Sequence, residues 1–273
     1  MTRDDITFLA EVVRTRSGLV LGPDAAYLIE NRLMPVARGE DLASVEALVA
    51  LMRARMPERL LAGATEALAN TETHFFRDRP AWDELRDQVL PALAALRGGE
   101  PVRIWSAACA TGQEPYSLAM LAAETGLKLD ICASDLSDRA LEKARAGLYT
   151  QFEVQRGLSA ARLLRHFDKV EDAWRVRAEL RQAVRWRRFN LLDDPRPLGR
   201  FDLILCRHVV AGFEPEVRRA SLTRLVSLLA PEGVLALGVG ESGGPDMIEA
   251  ASSGRGLFKL ADRTRDAAPR TGT

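Results

Sequence analysis

Polar side chains stand at several points of the chain where a small ligand could be held. The run Ala107–Ser117 consists largely of small residues between an apolar stretch and a helical one, so a ligand could approach its backbone closely. Glu114, at the start of that helix, would repel a phosphate and suits a ligand with a cationic ammonium or sulfonium group. The alternative is that Glu114 only stabilises the helix dipole.

Asp135 ends an apolar stretch that is typical of a strand, and Asn190 follows an alternating stretch, 183–189, that is also typical of one. An acid at the end of the strand after a ligand-binding loop accepts hydrogen bonds from ribose hydroxyls. The amide of Asn190 could bond the edge of an adenine ring while Leu191 packs on the ring. Each polar residue also has a local interpretation, Asp135 as a helix N-terminal charge and Asn190 as a turn residue. The combination of loop and acid favours a nucleoside ligand.

The same loop argues against other ligand classes. It lacks G-x-G-x-x-G, which counts against a dinucleotide-dependent oxidoreductase, and it lacks the G-K-[ST] of a phosphate-binding loop. The 38 basic and 38 acidic residues balance, so net charge gives no sign of a nucleic-acid or membrane partner. His74 and His166 have no partners at ligand spacing in the sequence, so we expect no metal.

Cysteine usage and the start of the chain indicate the compartment. The cysteines Cys109, Cys132 and Cys206 are far apart and odd in number, which favours reduced thiols of a cytosolic protein. The first residues are acidic and amphipathic and do not resemble a signal peptide. We therefore expect a cytoplasmic protein.

Apolar spacing divides the chain into a helical first part and an alternating second part. Residues 1–80 show helical stripes, interrupted at Pro35, and a further helix is predicted from Pro80 to about Leu96. Strands are predicted at 102–108, 129–134, 201–206 and 234–239, and helices at 114–125, 137–146 and 215–229. Strands that alternate with helices predict an α/β fold with a parallel sheet covered on both faces.

Residues 148–188 interrupt this alternation. A helix near 159–167 precedes two alternating stretches, 173–178 and 183–189, which predict a small antiparallel insertion. The insertion is basic, with ten Lys or Arg against five Asp or Glu, and its edge strands could pair with an extended peptide. A plain hairpin packed over the sheet is the alternative. The polar tail after Leu260 is expected to be disordered.

Motifs spread along the chain occur together in one known family. They are Thr71-Glu-Thr-His-Phe-Phe-Arg-Asp, the run Ile104–Ala119, Ala133-Ser-Asp-Leu-Ser, Asn190-Leu-Leu, Phe201-Asp-Leu-Ile-Leu-Cys-Arg and Val234-Leu-Ala-Leu-Gly-Val-Gly-Glu-Ser. In this order they resemble the chemotaxis-receptor glutamate methyltransferases (CheR) over nearly the whole chain. The resemblance implies a helical N-terminal domain (1–80) and a Rossmann-like S-adenosylmethionine-dependent methyltransferase domain (81–261), with a small antiparallel β-subdomain inserted at 148–188, before a disordered tail (262–273).

The resemblance also implies an activity and a set of site residues. Members transfer a methyl group from S-adenosylmethionine to receptor glutamates, which gives γ-methyl esters and S-adenosylhomocysteine. The cofactor-binding positions that it indicates here are Thr71, Thr73, Arg77, Glu114, Asp135, Asn190, Leu191, Cys206, Arg207 and His208. Arg77 is the expected catalytic residue, because a guanidinium can clamp the acceptor carboxylate with two hydrogen bonds. The alternative for Arg77 is a surface ion pair with Asp78.

The partner that the resemblance implies is the cytoplasmic helical region of chemotaxis receptors. We expect the N-terminal helices to contact it through cations, namely Arg32, Arg38, Arg53, Arg55 and Arg59; a balanced solvated surface is the alternative. Some family members also bind a receptor C-terminal peptide at the β-subdomain. We expect a cytoplasmic monomer with no nucleic-acid partner and no insertion into a membrane.

The chain departs from the family pattern close to the expected reacting centre. Thr71 replaces a usual Asn, His208 replaces another, and Gly212 replaces an active-site Tyr. Loss of that hydroxyl predicts a slow enzyme. It leaves open a degenerate member that binds cofactor and receptors but transfers methyl weakly or not at all, and a methyltransferase with another substrate is a further alternative. His208 could donate a hydrogen bond in place of the Asn, or it could only fill space.

Overall fold

The N-terminal part is a bundle of helices with its own core. The computed structural model describes residues 1–22, 26–69, 71–243, 247–249 and 255–260. The bundle consists of α1 (Arg3–Ser17), α2 (Ala26–Gly39), α3 (Val45–Arg55) and α4 (Glu58–Leu68). The predicted apolar stripes meet in this core, where Leu9, Leu33 and Met52 are fully buried. Helix α2 continues through Pro35, where the sequence predicts an interruption. A proline inside a helix removes one backbone hydrogen bond, but Leu33 and Ala37 on its two sides are buried and keep the helix packed.

One helical segment links the bundle to the sheet. It runs through α5 (Arg79–Glu84), a wider π-helical turn (Leu85–Val89) and α6 (Leu90–Leu96), as the sequence predicts. Pro80 stands in the first turn of α5, where its missing N–H costs nothing.

The rest of the chain forms a mixed α/β domain. In chain order its elements are β1 (Val102–Ala107), α7 (Gln113–Thr125), β2 (Leu129–Asp135), α8 (Asp138–Ala146), β3 (Leu148–Thr150), α9 (Gln151–Gln155), α10 (Ala160–His166), β4 (Phe167–Val170), β5 (Ala173–Val176), α11 (Ala178–Gln182), β6 (Val184–Arg188), β7 (Phe201–Leu205), α12 (Pro215–Ser227), β8 (Leu229–Ala236), β9 (Met247–Glu249) and β10 (Leu257–Leu260). The main sheet has the order β6-β2-β1-β7-β8-β10-β9.

Strand direction in the main sheet confirms the predicted α/β class. Strands β6, β2, β1, β7 and β8 are parallel, and β10 is antiparallel to β8 and β9. Side chains alternate between the two faces of the sheet: Ile104 and Leu203 belong to one core, whereas Trp105 and Ile204 belong to the other. Helices therefore cover both faces, and loops are free to build a site only at the strand ends.

The prediction for residues 183–189 is wrong. They were expected in the antiparallel insertion, but β6 pairs in parallel with β2, from Ile131↔Val184 to Asp135↔Arg188. The alternating pattern has another cause: Val184 and Trp186 pack on the main core, while Arg185 and Arg187, which alternate with them, are exposed at the sheet edge. The small antiparallel sheet consists of β3, β5 and β4 instead. The predicted disordered tail, 262–273, lies outside the described residues.

Candidate active site

The carboxyl ends of β1, β2, β6 and β7 open into a cavity of about 390 Å³. Asp135 and Leu136 line it from the end of β2, Asn190 and Leu191 from the loop after β6, and residues 208–213 from the loop after β7. The N-terminal part closes it with Ser17, Leu19, Ala69 and Thr71. This volume lies in the range of small-molecule sites. We call this cavity the large lobe.

A polar pocket of about 30 Å³ adjoins the large lobe, with Ala108, His208 and Val209 lining both. We call it the polar lobe. The residues that line only this second pocket include Thr73, His74, Arg77, Glu114 and Arg207. The two lobes together form a cleft with one apolar end and one charged end.

Arg207 lies at the centre of the polar lobe. Its Nη2 donates to Asp78 Oδ2 and to the carbonyl oxygen of Arg77, both at 2.7 Å, and Nη1 donates to Glu114 Oε2 at 3.4 Å. His208 Nε2 lies 2.7 Å from the same Asp78 oxygen. Burial by itself would raise the pKa of Asp78, but the hydrogen bond from His208 and the charge of Arg207 hold that pKa below its usual range. Asp78 is thus an anion that fixes Arg207 and His208.

Glu114 is the buried acid of the polar lobe. It accepts a hydrogen bond from Ser106 Oγ at 2.8 Å. Burial raises its pKa, and the nearby charge of Arg207 offsets this only in part. A cationic ligand group beside Glu114 would stabilise its anionic form.

Asp135 holds the loop after β1. Its Oδ2 accepts the N–H of Ala110 at 2.8 Å and its Oδ1 accepts the N–H of Ser137 at 2.9 Å. Each oxygen keeps a second lone pair for a ligand hydroxyl. Burial raises the pKa of Asp135, while these two N–H groups favour the anion.

The loop after β1 needs small residues. Ala108 and Ala110 have φ values of 57° and 49°, and Gly112 has 95°. A Cβ on Gly112 would lie 2.8 Å from the Cβ of Ala144, so a larger residue does not fit. Tyr149 of the insertion donates its hydroxyl to the carbonyl of Thr111 at 2.6 Å. This explains the small-residue run that the sequence shows.

The structure brings most of the predicted site residues together. Thr71, Asp135, Asn190, Leu191 and His208 line the large lobe, and Thr73, Arg77, Glu114, Arg207 and His208 line the polar lobe. Within the described residues, Cys206 lines neither lobe: it is fully buried behind the wall, and burial raises the pKa of its thiol.

Two predicted residues make contacts other than those expected. Asn190 Nδ2 donates to the carbonyl of Arg16 at 2.7 Å, and its Oδ1 accepts from Leu192 N–H at 3.1 Å. Arg77 Nη1 donates to the carbonyl of Glu72 at 3.1 Å. The ion pairs of Asp78 are with Arg207 and His208, so the alternative of an Arg77–Asp78 pair is wrong.

Sequence reasoning missed Asp78 and Glu241. Glu241 is buried and accepts three backbone N–H groups, from His208 at 2.9 Å, Ala211 at 3.0 Å and Gly238 at 2.6 Å. It thereby ties the loop after β7 to the loop after β8. Asp78 follows Arg77 and Glu241 precedes Ser242, so each acid belongs to one of the family motifs. Membership of a motif was the sequence signal that could have indicated both as site residues.

Known proteins share this sequence pattern. The family model described as "CheR methyltransferase, SAM binding domain" matches residues 71–253. Chemotaxis protein methyltransferase 1 of Pseudomonas aeruginosa is 39% identical over 234 residues, which cover 82% of this chain and 85% of that protein. Chemotaxis protein methyltransferase Cher2 of Pseudomonas putida is 36% identical, covering 89% and 93%. The chemotaxis protein methyltransferase of Vibrio parahaemolyticus is 37% identical, covering 84% and 86%.

No helix in the described part of the chain is both long enough and apolar enough to cross a membrane.

Proposed function

This chain belongs to the CheR methyltransferase family, and we propose that it transfers the methyl group of S-adenosylmethionine to glutamate side chains of chemotaxis receptors in the cytoplasm. The products are a glutamate γ-methyl ester and S-adenosylhomocysteine. One observation carries the proposal: the large lobe, which Asp135 lines, adjoins the polar lobe, which Glu114, Arg77 and Arg207 line.

The residues present fit S-adenosylmethionine. Asp135 keeps acceptor capacity for ribose hydroxyls, and Leu191 with Phe189 offers an apolar wall for a purine. Because the amide of Asn190 is engaged with the N-terminal part, we assign Asn190 to hold that wall in place. Glu114 suits the cationic end of the ligand, since a cation would relieve the cost of its buried charge. When bound, S-adenosylmethionine supplies an electrophilic methyl group on a sulfonium.

The protein's part in the reaction is alignment. A glutamate is ionised at neutral pH and needs no general base. Arg77 lines the polar lobe with one guanidinium nitrogen on a backbone carbonyl, which leaves donors for the acceptor carboxylate. Arg207 and His208 are fixed by Asp78. A rigid polar wall of this kind orients an acceptor and limits access of water.

A degenerate member, which binds cofactor and receptor but transfers weakly, is the second candidate. Gly212 is the observation that favours this second candidate, because this position on the wall of the large lobe lacks the tyrosine hydroxyl of the family. Leu19 of the N-terminal part occupies the adjoining space, with its Cδ2 3.2 Å from where a Cβ on Gly212 would lie.

A paired measurement separates the two candidates. We expect wild type to transfer labelled methyl to a receptor cytoplasmic fragment. Arg77→Ala should reduce that rate by about 10²-fold or more, because one oriented active-site donor is lost, while affinity for S-adenosylhomocysteine changes much less. Asp135→Ala should lower that affinity by at least about tenfold, since a charge-assisted hydrogen bond contributes about 1.5–3 kcal/mol.

Two outcomes would reject parts of the proposal. A wild type that binds S-adenosylhomocysteine but transfers no methyl to the receptor fragment rejects the proposed activity and leaves the degenerate member or a methyltransferase with another substrate. An Arg77→Ala variant as fast as wild type shows that the acceptor is held elsewhere.

We propose that the acceptor helix lies in the groove between α2, α4 and α8. This groove has a volume of about 790 Å³ and reaches Thr71, which also lines the large lobe. Its walls carry more cations than acids: Arg32, Arg59, Arg139, Lys143 and Arg188 against Glu66 and Asp138. Of the cations predicted to meet the receptor, Arg32 and Arg59 line the groove, whereas Arg53 is held on the carbonyl of Asp4 and over the ring of Phe8. A basic groove suits an acidic methylation region.

The small antiparallel sheet offers a place for a receptor C-terminal peptide. Strand β4 pairs with β5 along one side and is an edge strand, so an extended peptide could add to it. We propose this as a second receptor contact of a monomeric enzyme.

A further inference from the structure

His208 is held from several sides at the point where the two lobes meet. Its backbone has a φ of 60°, a left-handed conformation that is uncommon for a residue other than glycine. Its N–H donates to Glu241 Oε2 at 2.9 Å, and its ring lies against Gly238. A backbone that its surroundings hold in such a conformation indicates that the place of the side chain matters to the site.

The Nε2 end of the His208 ring contacts Asp78. This nitrogen lies 2.7 Å from Asp78 Oδ2, and because Asp78 is an anion, Nε2 carries the hydrogen and donates it. Asp78 stands directly before α5 with a φ of 62°, and its side chain makes no capping bond to that helix. In the described part of the chain, the hydrogen bonds that orient the Asp78 carboxylate therefore come from the side chains of His208 and Arg207.

The same oxygen of Asp78 orients Arg207. Arg207 Nη2 donates to it at 2.7 Å, Nη1 donates to Glu114 Oε2 at 3.4 Å, and the Arg207 side chain is only 3% exposed. His208, Asp78, Arg207 and Glu114 thus form one connected chain of side chains across the polar lobe. A donor on Asp78 restricts how its carboxylate can turn, and hence where Arg207 presents its N–H groups.

We propose that His208 is a positioning residue that fixes Arg207 through Asp78. The inference rests on the proposed function for the ligand of the polar lobe, and it concerns how this chain builds that lobe without the family's usual Asn at position 208. The amide nitrogen of an Asn is one bond beyond Cγ, whereas Nε2 of His208 is two bonds beyond it. From this backbone position an Asn would stop short of Asp78, so the family residue should not replace His208 here.

Substitutions of matched length test the contact. His208→Gln places an amide nitrogen two bonds beyond Cγ, as in His, whereas His208→Asn and His208→Ala leave Asp78 without this donor. The readout is calorimetric affinity for S-adenosylhomocysteine, which needs no turnover, and thermal unfolding checks that each variant is folded. We expect an affinity about tenfold lower in Asn and Ala, because a less well placed Arg207 loses a charge-assisted hydrogen bond, and recovery in Gln.

A double-mutant cycle separates positioning from direct contact with the ligand. If His208 acts through Asp78, His208→Asn should have no further effect on affinity in an Asp78→Ala background. Additive losses would show that His208 touches the ligand itself and would overturn the inference, as would an Asn variant that binds as well as Gln. If wild type binds S-adenosylhomocysteine but transfers no methyl, the proposed function fails, whereas the affinities still decide this inference. A wild type that does not bind S-adenosylhomocysteine overturns both.

Discussion

His208 is the residue at which this chain departs most informatively from its family. Its φ is 60°, its Nε2 bonds Asp78, and its ring lies against Gly238, where an added Cβ would come within 2.5 Å of Nδ1. The interpretation that His208 only fills space is therefore wrong. Whether His208 also contacts cofactor or acceptor stays a prediction.

Residue types and motif order predicted much of the site, and spatial neighbours explain the rest. Glu114 and Asp135 were expected to face one cleft because parallel strands end at one edge, and they do. Asp78 and Glu241 could not be assigned, since their partners are distant in sequence: Asp78 bonds Arg207, and Glu241 bonds backbone across two loops.

A tyrosine at position 212, as in the family, should speed methyl transfer if space is made for its ring. Gly212→Tyr alone would press on Leu19, so we combine it with Leu19→Ala. The double variant should transfer methyl up to about 10²-fold faster than Leu19→Ala, because an oriented donor returns to the cleft. The comparison is of initial rates, with Gly212→Phe plus Leu19→Ala as the control that lacks only the hydroxyl. Equal rates for the Tyr and Phe variants would mean that the hydroxyl has no role here.

The insertion supports the segment that carries Arg77 and His74. The Phe75 ring packs edge-to-face on Tyr149 and on Phe167. Arg162 stacks over the Phe76 ring with its Cζ 3.9 Å from the centroid, and donates two hydrogen bonds to Glu124 of α7. The inserted residues thus support the segment that carries Arg77, and they also offer an edge strand.

Gly157 is the tightest of these contacts. Its φ is 95°, and a Cβ there would overlap the carbonyl oxygen of Phe75. Gly157→Ala should therefore displace segment 71–77, with a loss of about 1–3 kcal/mol in unfolding free energy and weaker binding of S-adenosylhomocysteine. Thermal unfolding and calorimetry measure the two effects. Gly63→Ala in α4 is the control, because a Cβ there meets open space. If both variants behave like wild type, the insertion does not support the site.

Element types were predictable from spacing, but strand partners were not. The helices of the N-terminal bundle and strands β1, β2 and β7 follow the predicted stretches closely. Strand β6 was misplaced because alternation between a buried and an exposed face is the same at the edge of a parallel sheet as in a hairpin. The two arrangements differ only in the strand's partner and direction, and the structure shows β6 in parallel with β2 from Ile131↔Val184 onward.

At the scale of the whole molecule, the helical part and the sheet domain form one site. Asn190 bonds the carbonyl of Arg16, and Val20 N–H bonds the carbonyl of Gly212 at 2.9 Å. Arg14 pairs with Glu214 at 3.4 Å. These links set Ser17 and Leu19 into the wall of the large lobe. A domain boundary near residue 80 therefore does not separate the large lobe from the N-terminal helices.

The basic groove between α2, α4 and α8 predicts how a charge reversal affects methylation of the receptor. Arg139→Glu reverses an exposed cation on α8 within the groove. It should raise KM for a receptor fragment severalfold at low salt, and less at high salt, because exposed charges are screened. Affinity for S-adenosylhomocysteine should not change. Arg219→Glu, exposed on α12, is the matched control. Equal KM values for the two variants would place the receptor elsewhere.

The central claim is methyl transfer to receptor glutamates, and mapping the product tests it most directly. Wild type is incubated with labelled S-adenosylmethionine and a receptor cytoplasmic fragment, and the modified side chains are located by mass spectrometry of its peptides. We predict label on glutamate side chains, lost as methanol in mild base as a γ-methyl ester requires, and little label with Arg77→Ala. Base-stable label on another residue type, or no label from a wild type that binds S-adenosylhomocysteine, would contradict the account.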